Sequence, residues 1–363
     1  MSTTTEPALG AALALLERVL RAGAPYAAEC PLVFDARAPG RVIEIKPDGV
    51  VRSACTLLER ELVMPHARIR AGFIGSVVTD PDHRGRGLAT QVLEAAETEL
   101  RSRGSLLALL WPNEPSFYER RGWRAIGAER DFVLSPTHRE ALPEAAQVRL
   151  RVSDDDDAIH ELYALHPERV ERTREETRAL LGCPDMEVLV CERWGKTVAY
   201  SCLGRGADFH DVVHEWAGDA RAVLALLRGH LERRRVRGEE NDLYVIAPRS
   251  ALDLAERLSA LSVPSSIGVL GYAKMLDLVS AAEHLAGLID RRGNVRVEVP
   301  PDAPGTIELV GSTGRWRGTN ADVLELLFAA RGDASLARKV AAAVGGTAER
   351  LPLALFAWGL DSI

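Results

Sequence analysis

The stretch that decides the fold reads Val77-Val78-Thr79-Asp80-Pro81-Asp82-His83-Arg84-Gly85-Arg86-Gly87-Leu88-Ala89. An apolar, β-branched run leads into it, so Gly72 to Thr79 reads as a buried strand. The chain then turns through two glycines and enters a helix directly. Leu88, Val92, Ala96 and Leu100 step by four onto one face of that helix, and Glu94, Glu97, Glu99 and Arg101 fall on the wet side. Gly104 is placed to end it, after Arg103, in a left-handed cap. The first turn of a helix carries unpaired backbone N–H groups and a partial positive charge. Gly85 and Gly87 leave those donors open to an anion, while Arg84 and Arg86 add charge for a phosphate. Each charge-assisted hydrogen bond contributes on the order of 1.5–3 kcal/mol. A dinucleotide fingerprint would need a third glycine where this chain has Thr90, and a P-loop would need Gly-Lys-Ser/Thr. An arginine-rich helix start on a solvated surface is the remaining alternative.

Outward from this turn, strand and helix signals alternate. Val42 to Ile45 and Val50 to Glu59 read as strands joined by the Pro47-Asp48-Gly49 turn. Leu106 to Trp111 is a strand buried on both faces, followed by a short helix from Pro115 to Arg121 and strands through Leu134. An amphipathic first helix covers the apolar stretch Ala8 to Leu15 and continues to Leu20. That stretch is too short to span a bilayer and lacks the basic flank of a signal peptide. Ser135 to Gln147, with two prolines and little periodicity, reads as a linker.

A similar pattern then begins again. The acid run Asp154 to Asp157 leads into a helix carrying Ile159, Leu162 and Tyr163; it reads as helix N-terminal charge, with a metal site as the alternative. Strands follow at Glu187 to Glu192, Thr197 to Leu203 and Val212 to Trp216. Helix Ala220 to Arg234, strand Leu243 to Ala247, helix Ala251 to Leu261 and strands Ser266 to Leu270 and Tyr272 to Leu276 complete it. The order of elements repeats that of the first segment, which implies an internal duplication. The second copy has Glu215-Trp216-Ala217-Gly218-Asp219-Ala220 in place of the glycine-arginine turn. From Asp277 onward the signals describe a small α+β module: helix Ser280 to Asp290, strands Asn294 to Val299 and Thr306 to Gly311, and helices Asn320 to Ala330 and Ser335 to Val344. Its apolar end, Leu353 to Ile363, should be docked rather than free. The expected division is 1–135, 148–276 and 277–363.

Composition bounds the function. A chain of 363 residues exceeds one ordinary hydrophobic core. A hydrophobic fraction of 47%, a charged fraction of 27% and a net charge of −7 describe a globular protein and argue against a dedicated nucleic-acid or membrane binder. The five cysteines form no CxxC pair, and with the histidines they fit no standard zinc spacing. They read as reduced thiols of a cytoplasmic protein without a metal.

Residues Arg84-Gly85-Arg86-Gly87-Leu88-Ala89 resemble the pyrophosphate loop of the GNAT acetyltransferases, written Arg/Gln-x-x-Gly-x-Gly/Ala. The upstream Val-x-x-Pro and the downstream Phe117-Tyr118-Glu119-Arg120-Arg121-Gly122-Trp123 also look like that family. The resemblance implies acetyl-CoA as cosubstrate, held by Arg84 to Thr90, with the pantetheine arm along the backbone of Val77, Val78 and Thr79. It also implies Tyr118 as the acid that serves the leaving thiolate. Two GNAT-like halves followed by a sterol-carrier-like module resemble the enhanced intracellular survival (Eis) type. The fold class this implies is α/β (α+β): two tandem GNAT folds with mixed central sheets plus a small sterol-carrier-like domain. In that type a Ser-Glu pair precedes the tyrosine; Asn113 and Glu114 stand there, so the first position departs. The type uses its C-terminal carboxylate as base, here that of Ile363, an aliphatic residue where the type has an aromatic one.

The resemblance thus implies an N-acetyltransferase acting on a primary amine, either of a cationic small molecule or of a lysine side chain. It leaves a homo-oligomer open. Glu114, Asp208, Asp211 and Glu215 are candidate acids to meet a cationic acceptor, with ordinary surface charge as the alternative for each. Two other functions fit the same residues: a non-catalytic acyl-CoA sensor or ligand-binding protein, and a tandem GNAT acting on a thiol-sugar amine.

Overall fold

A computed structural model describes residues 6–363. The chain begins with α1 (Glu6–Leu20) and α2 (Pro31–Phe34), then runs β1 (Arg41–Ile45), β2 (Ser53–Met64), β3 (Ala67–Thr79), α3 (Leu88–Ser102), β4 (Leu107–Leu110), α4 (Pro115–Glu119) and β5 (Arg124–Ile126). β1, β2 and β3 form an antiparallel meander, and β4 adds parallel to β3, as required after a helical crossover. Successive residues of β2 enter two cores. Cys55 and Leu57 meet Val92, Leu93, Ala96 and Leu100 of α3, whereas Ala54 meets Ala12, Leu15 and Leu16 of α1. α1 and α3 therefore cover opposite faces of the first sheet, and β2 carries apolar residues on both sides.

The chain continues through β6 (Glu129–Leu134), β7 (Val148–Leu150), α5 (Asp156–Ala164), β8 (Arg169–Val170), α6 (Arg174–Leu180), β9 (Glu187–Arg193), β10 (Lys196–Leu203), β11 (Val212–Gly218), α7 (Ala220–Arg237), β12 (Leu243–Pro248), α8 (Leu252–Ala260) and β13 (Ser265–Gly268). The second sheet has the order β13-β6-β12-β11-β10-β9-β7. Its β11 and β12 are parallel, flanking the crossover through α7 just as β3 and β4 flank α3. Asp155 and Asp156 of the acid run are bound by Arg149 and Arg151, which accounts for their charge without a metal.

The last part comprises β14 (Gly271–Met275), α9 (Leu278–Ile289), β15 (Arg296–Glu298), β16 (Thr306–Val310), β17 (Arg315–Thr319), α10 (Asn320–Phe328) and α11 (Ser335–Val344). β15, β16 and β17 make a small antiparallel sheet, one strand more than the two expected.

Two strands depart from the sequential division. β6, expected to close the first segment, pairs with β12 and β13 in the second sheet. β14, expected to close the second, lies between β4 and β5 in the first. The strand pattern of each fits either sheet, because both sheets offer an antiparallel place beside the strand that follows the helical crossover; short-range signals cannot choose between them. One compact unit accordingly holds the chain up to Gly127, Leu270–Ala354 and Ser362–Ile363. The other holds Ala128–Val269 and Leu355–Asp361. The C-terminal module is thus part of the first unit, where the Gly127 N–H donates to the Phe328 carbonyl at 2.8 Å. The apolar end is docked as expected: Leu353, Leu355, Phe356, Trp358 and Leu360 are all buried. No helix among the described residues is long and apolar enough to cross a membrane.

Candidate functional site

β3 is where the first sheet opens. Its register against β4 covers only Ala71 to Phe73, while β3 itself runs six residues further to Thr79. From Ile74 on, that edge of β3 lines a split. A bulge sits in the same segment: Ala54 faces Val78 but Thr56 faces Gly75, so β3 carries an extra residue there. Ser76 takes φ 50°, a left-handed conformation that is strained for a non-glycine residue. The Ser53 hydroxyl donates to the Val78 carbonyl at 2.7 Å and lies 3.1 Å from Thr79 Oγ1, fixing the end of the strand.

The turn beyond is pinned at its base. Asp80 is buried and accepts from the Asp82 N–H at 3.3 Å, from Arg52 at 3.0 Å and from Arg18 at 3.2 Å. Arg84, Gly85, Arg86 and Gly87 are exposed. Gly85 and Gly87 have φ 75° and 76°, and a Cβ on either would meet nothing within 4 Å. Their requirement is therefore conformational: two left-handed residues in a tight turn, not room cleared of side chains. Gly87 is the N-cap of α3, and no side chain caps that helix. The donors at its start face an open cleft of about 360 Å³, lined by Thr79, His83, Arg84, Gly85, Gly87, Leu88, Ala89, Thr90, Phe117 and Arg121.

Arg121 enters this cleft in a fixed pose. It donates to Thr90 Oγ1 at 2.7 and 3.0 Å and to the Phe117 carbonyl at 2.6 Å, and its guanidinium stacks 3.7 Å from the Phe117 ring centroid. Tyr118, half-buried, packs edge-on against Phe117 and Trp123 and against the core on the α3 side of the sheet. Its hydroxyl is pushed up to about 12, chiefly by burial, with Cys55 and Glu114 adding and Arg121 opposing. Asn113 and Glu114 are exposed and do not line the cleft; the Glu114 carbonyl accepts from the Phe117 N–H at 3.1 Å at the start of α4.

Ile363 lies on the opposite face. Its side chain joins the core formed with α1, and its terminal carboxyl group rests on Gly75, where a Cβ would collide with it. Gly75 is therefore a glycine because the end of the chain occupies the space of a side chain.

Residues 3–126 match the family model described as acetyltransferase (GNAT) domain. The chain carries a GNAT acetyltransferase domain. Among solved structures that share the fold are the following three. A GCN5-related N-acetyltransferase from Kribbella flavida has a TM-score of 0.63 at 16% identity, covering 100% of this chain and 99% of that one. A probable N-acyltransferase from Enterococcus faecalis V583 has a TM-score of 0.63 at 14% identity, covering 89% and 85%. Eis1 from Mycobacterium abscessus has a TM-score of 0.56 at 15% identity, covering 88% and 84%. No curated protein matches the sequence significantly.

Within the GNAT domain, most residues singled out from sequence converge. Thr79, Arg84, Gly85, Gly87, Leu88, Ala89 and Thr90 line one cleft; Val77 and Val78 lie on the split edge of β3; Arg86 is exposed on the turn beside it. His83, Phe117 and Arg121 line it as well and were not picked out as site residues. The spacing of Phe117 and Arg121, four apart on a helical turn, was the available signal. Two of the acids considered for a cationic acceptor are already committed. Glu215 is fully buried with Arg172 and Tyr200, and Asp211 pairs with Arg234. All five cysteines are buried and outside any disulfide, and no group of three or more His, Cys, Asp or Glu among the described residues could hold a metal ion.

Proposed function

We propose that the GNAT domain transfers acetyl from acetyl-CoA to a primary amine, of a cationic small molecule or a lysine side chain, by direct attack. The observation that carries this reading is the uncapped N-terminus of α3 opening onto the cleft below the split in the sheet. The amides from Gly85 to Ala89, with Arg84 and Arg86, would receive the diphosphate. The edge of Val77, Val78 and Thr79 would run along the pantetheine arm, with Thr90, Asn113 and Glu114 nearby.

In this mechanism the amine nitrogen bonds to the acetyl carbon and the carbon–sulfur bond breaks. The proton leaving nitrogen goes to the terminal carboxylate of Ile363, and the sulfur is met by the hydroxyl of Tyr118. An α-carboxylate titrates near 3.5, so it takes the proton only as the amine attacks. Burial raises Tyr118 to about 12 and widens its gap from a thiol near 8.5. Tyr118 then acts by donating a hydrogen bond to sulfur as charge develops, more than by complete proton transfer.

The same reading assigns one CoA per chain, a sterol-carrier-like role to the module of β15–β17, and a cytoplasmic location; an assembly of like chains is part of the Eis-type reading. The test is thiol release from acetyl-CoA across polyamines, aminoglycosides and lysine peptides. Turnover with at least one amine is expected. Tight CoA binding without turnover on any of them would replace the enzyme with an acyl-CoA sensor.

A further inference from the structure

The seat of the terminal carboxyl group contains a second polar atom with nothing to do. Thr56 is the cross-strand partner of Gly75, and its Oγ1 lies 2.9 Å from the point a Cβ on Gly75 would occupy, the point where the Ile363 carboxyl group sits. Thr56 is fully buried, and its hydroxyl has no hydrogen-bond partner among the described residues. Buried hydroxyls nearly always find partners, so one left unpaired beside a carboxylate calls for an explanation. The neighbouring hydroxyls do not share this state. Ser76 Oγ is hydrogen-bonded to Tyr26, whose oxygen also accepts from Cys30 Sγ at 3.3 Å. Along β2, Ala54 faces the α1 core and Cys55 the α3 core, so Thr56 returns to the α1 side with Ile363.

We infer that Thr56 Oγ1 and the Ile363 carboxylate together hold the attacking nitrogen of the acceptor. This rests on the acetyltransferase reading above and adds Thr56 as the residue that positions the amine and sets its preference for primary over secondary nitrogen. A neutral primary amine has two N–H bonds and one lone pair. With one N–H on Thr56 and the other on the carboxylate, the lone pair is directed into the split between β3 and β4. As nitrogen bonds to the acetyl carbon, the proton facing the carboxylate transfers to it and the bond to Thr56 persists. A secondary amine has a single N–H and must leave one of the two acceptors unserved.

The experiment compares acetyl transfer to 1,4-diaminobutane and to a lysine peptide with transfer to their N-methylated counterparts. It uses the full chain, Thr56→Val and Thr56→Ser. The unaltered protein should prefer the primary amine by about tenfold in kcat/KM, the worth of one hydrogen bond. Thr56→Val should reduce that preference to about threefold or less, leave the KM for acetyl-CoA unchanged, and leave the melting temperature equal or higher, since it removes an unsatisfied polar atom. Thr56→Ser should restore the preference. An unchanged preference in Thr56→Val, equal damage from both variants, or a parallel rise in the acetyl-CoA KM would overturn the assignment while leaving the acetyltransferase reading standing. Absence of turnover by the unaltered protein on every amine would remove both.

Discussion

The two strand-to-helix junctions of this chain have the same architecture and opposite chemistry. In the first, β3 runs into α3 through Gly85 and Gly87, and no side chain caps the helix. In the second, β11 runs into α7 through Gly218 and Asp219, and the Asp219 carboxylate accepts the Ala222 N–H at 3.0 Å. A helix N-terminus attracts an anion. The second junction supplies one from its own chain, while the first leaves the place open. The ground beside β11 is also filled. Trp358, fully buried, lies 5.3 Å from the Trp216 ring and 4.3 Å from His166, and Gly359 packs on His214. Beside β3 the corresponding region keeps the cleft lined by Arg84, Thr90 and Arg121. The two helix ends share one architecture, and the side chain at the cap separates the open one from the one that is filled.

The largest effect should come from the group that only the first junction serves. Tyr118→Phe should lower kcat by about 10²–10³-fold, the cost of removing one donor aimed at developing charge, with acetyl-CoA affinity changed less than about twofold. Steady-state kinetics with a separate CoA titration checks both. The pH profile sharpens it. Burial raises the hydroxyl to about 12, so Tyr118 stays protonated through neutral and mildly alkaline pH. The tyrosine contribution to kcat should thus stay level past the ordinary tyrosine value near 10. An alkaline fall centred near 10 and absent in Tyr118→Phe would show the hydroxyl to be unperturbed.

A smaller effect should follow from giving the first junction the cap of the second. Gly87→Asp puts a carboxylate where the diphosphate is proposed to bind. The acetyl-CoA KM should rise about 10–100-fold, the loss of one charge-assisted hydrogen bond. Gly87→Ala forces the same left-handed backbone without the charge, and should account for only part of the rise. Equal effects of Asp and Ala would mean that conformation alone matters at this position.

What could be read in the sequence follows the range of the interactions. The junction at Val77 to Ala89 was legible because strand, turn and helix start are local, each signalled within a few residues. The exchange of β6 and β14 between the sheets was not, because an alternating strand fits either place and the choice lies in partners more than 100 residues away. Partners outside any short sequence window, Arg172 for Glu215 and Arg234 for Asp211, likewise left two engaged carboxylates looking available to a cationic ligand. A role for the terminal carboxylate of Ile363 follows from resemblance alone, and its seat on Gly75 follows from nothing in the sequence. Nothing in the spacing of β3 shows that one of its glycines is filled by the end of the chain.

The smallest predicted effect asks whether the cap alone separates the two junctions. Asp219→Ala removes the side chain that receives the Ala222 N–H, and with it the 3.1 Å ion pair to Arg193. The exposed pair contributes little, so the loss should be that of an N-cap, about 1 kcal/mol in urea unfolding. Calorimetric titration should still count a single CoA per chain. Uncapping α7 supplies donors, but no arginine stands where Arg84 and Arg86 stand in the first junction, and Trp216 and Trp358 still occupy the ground beside β11. A second CoA bound by Asp219→Ala would mean that one carboxylate had closed an otherwise competent site, and that the second unit lost its cofactor by a single substitution.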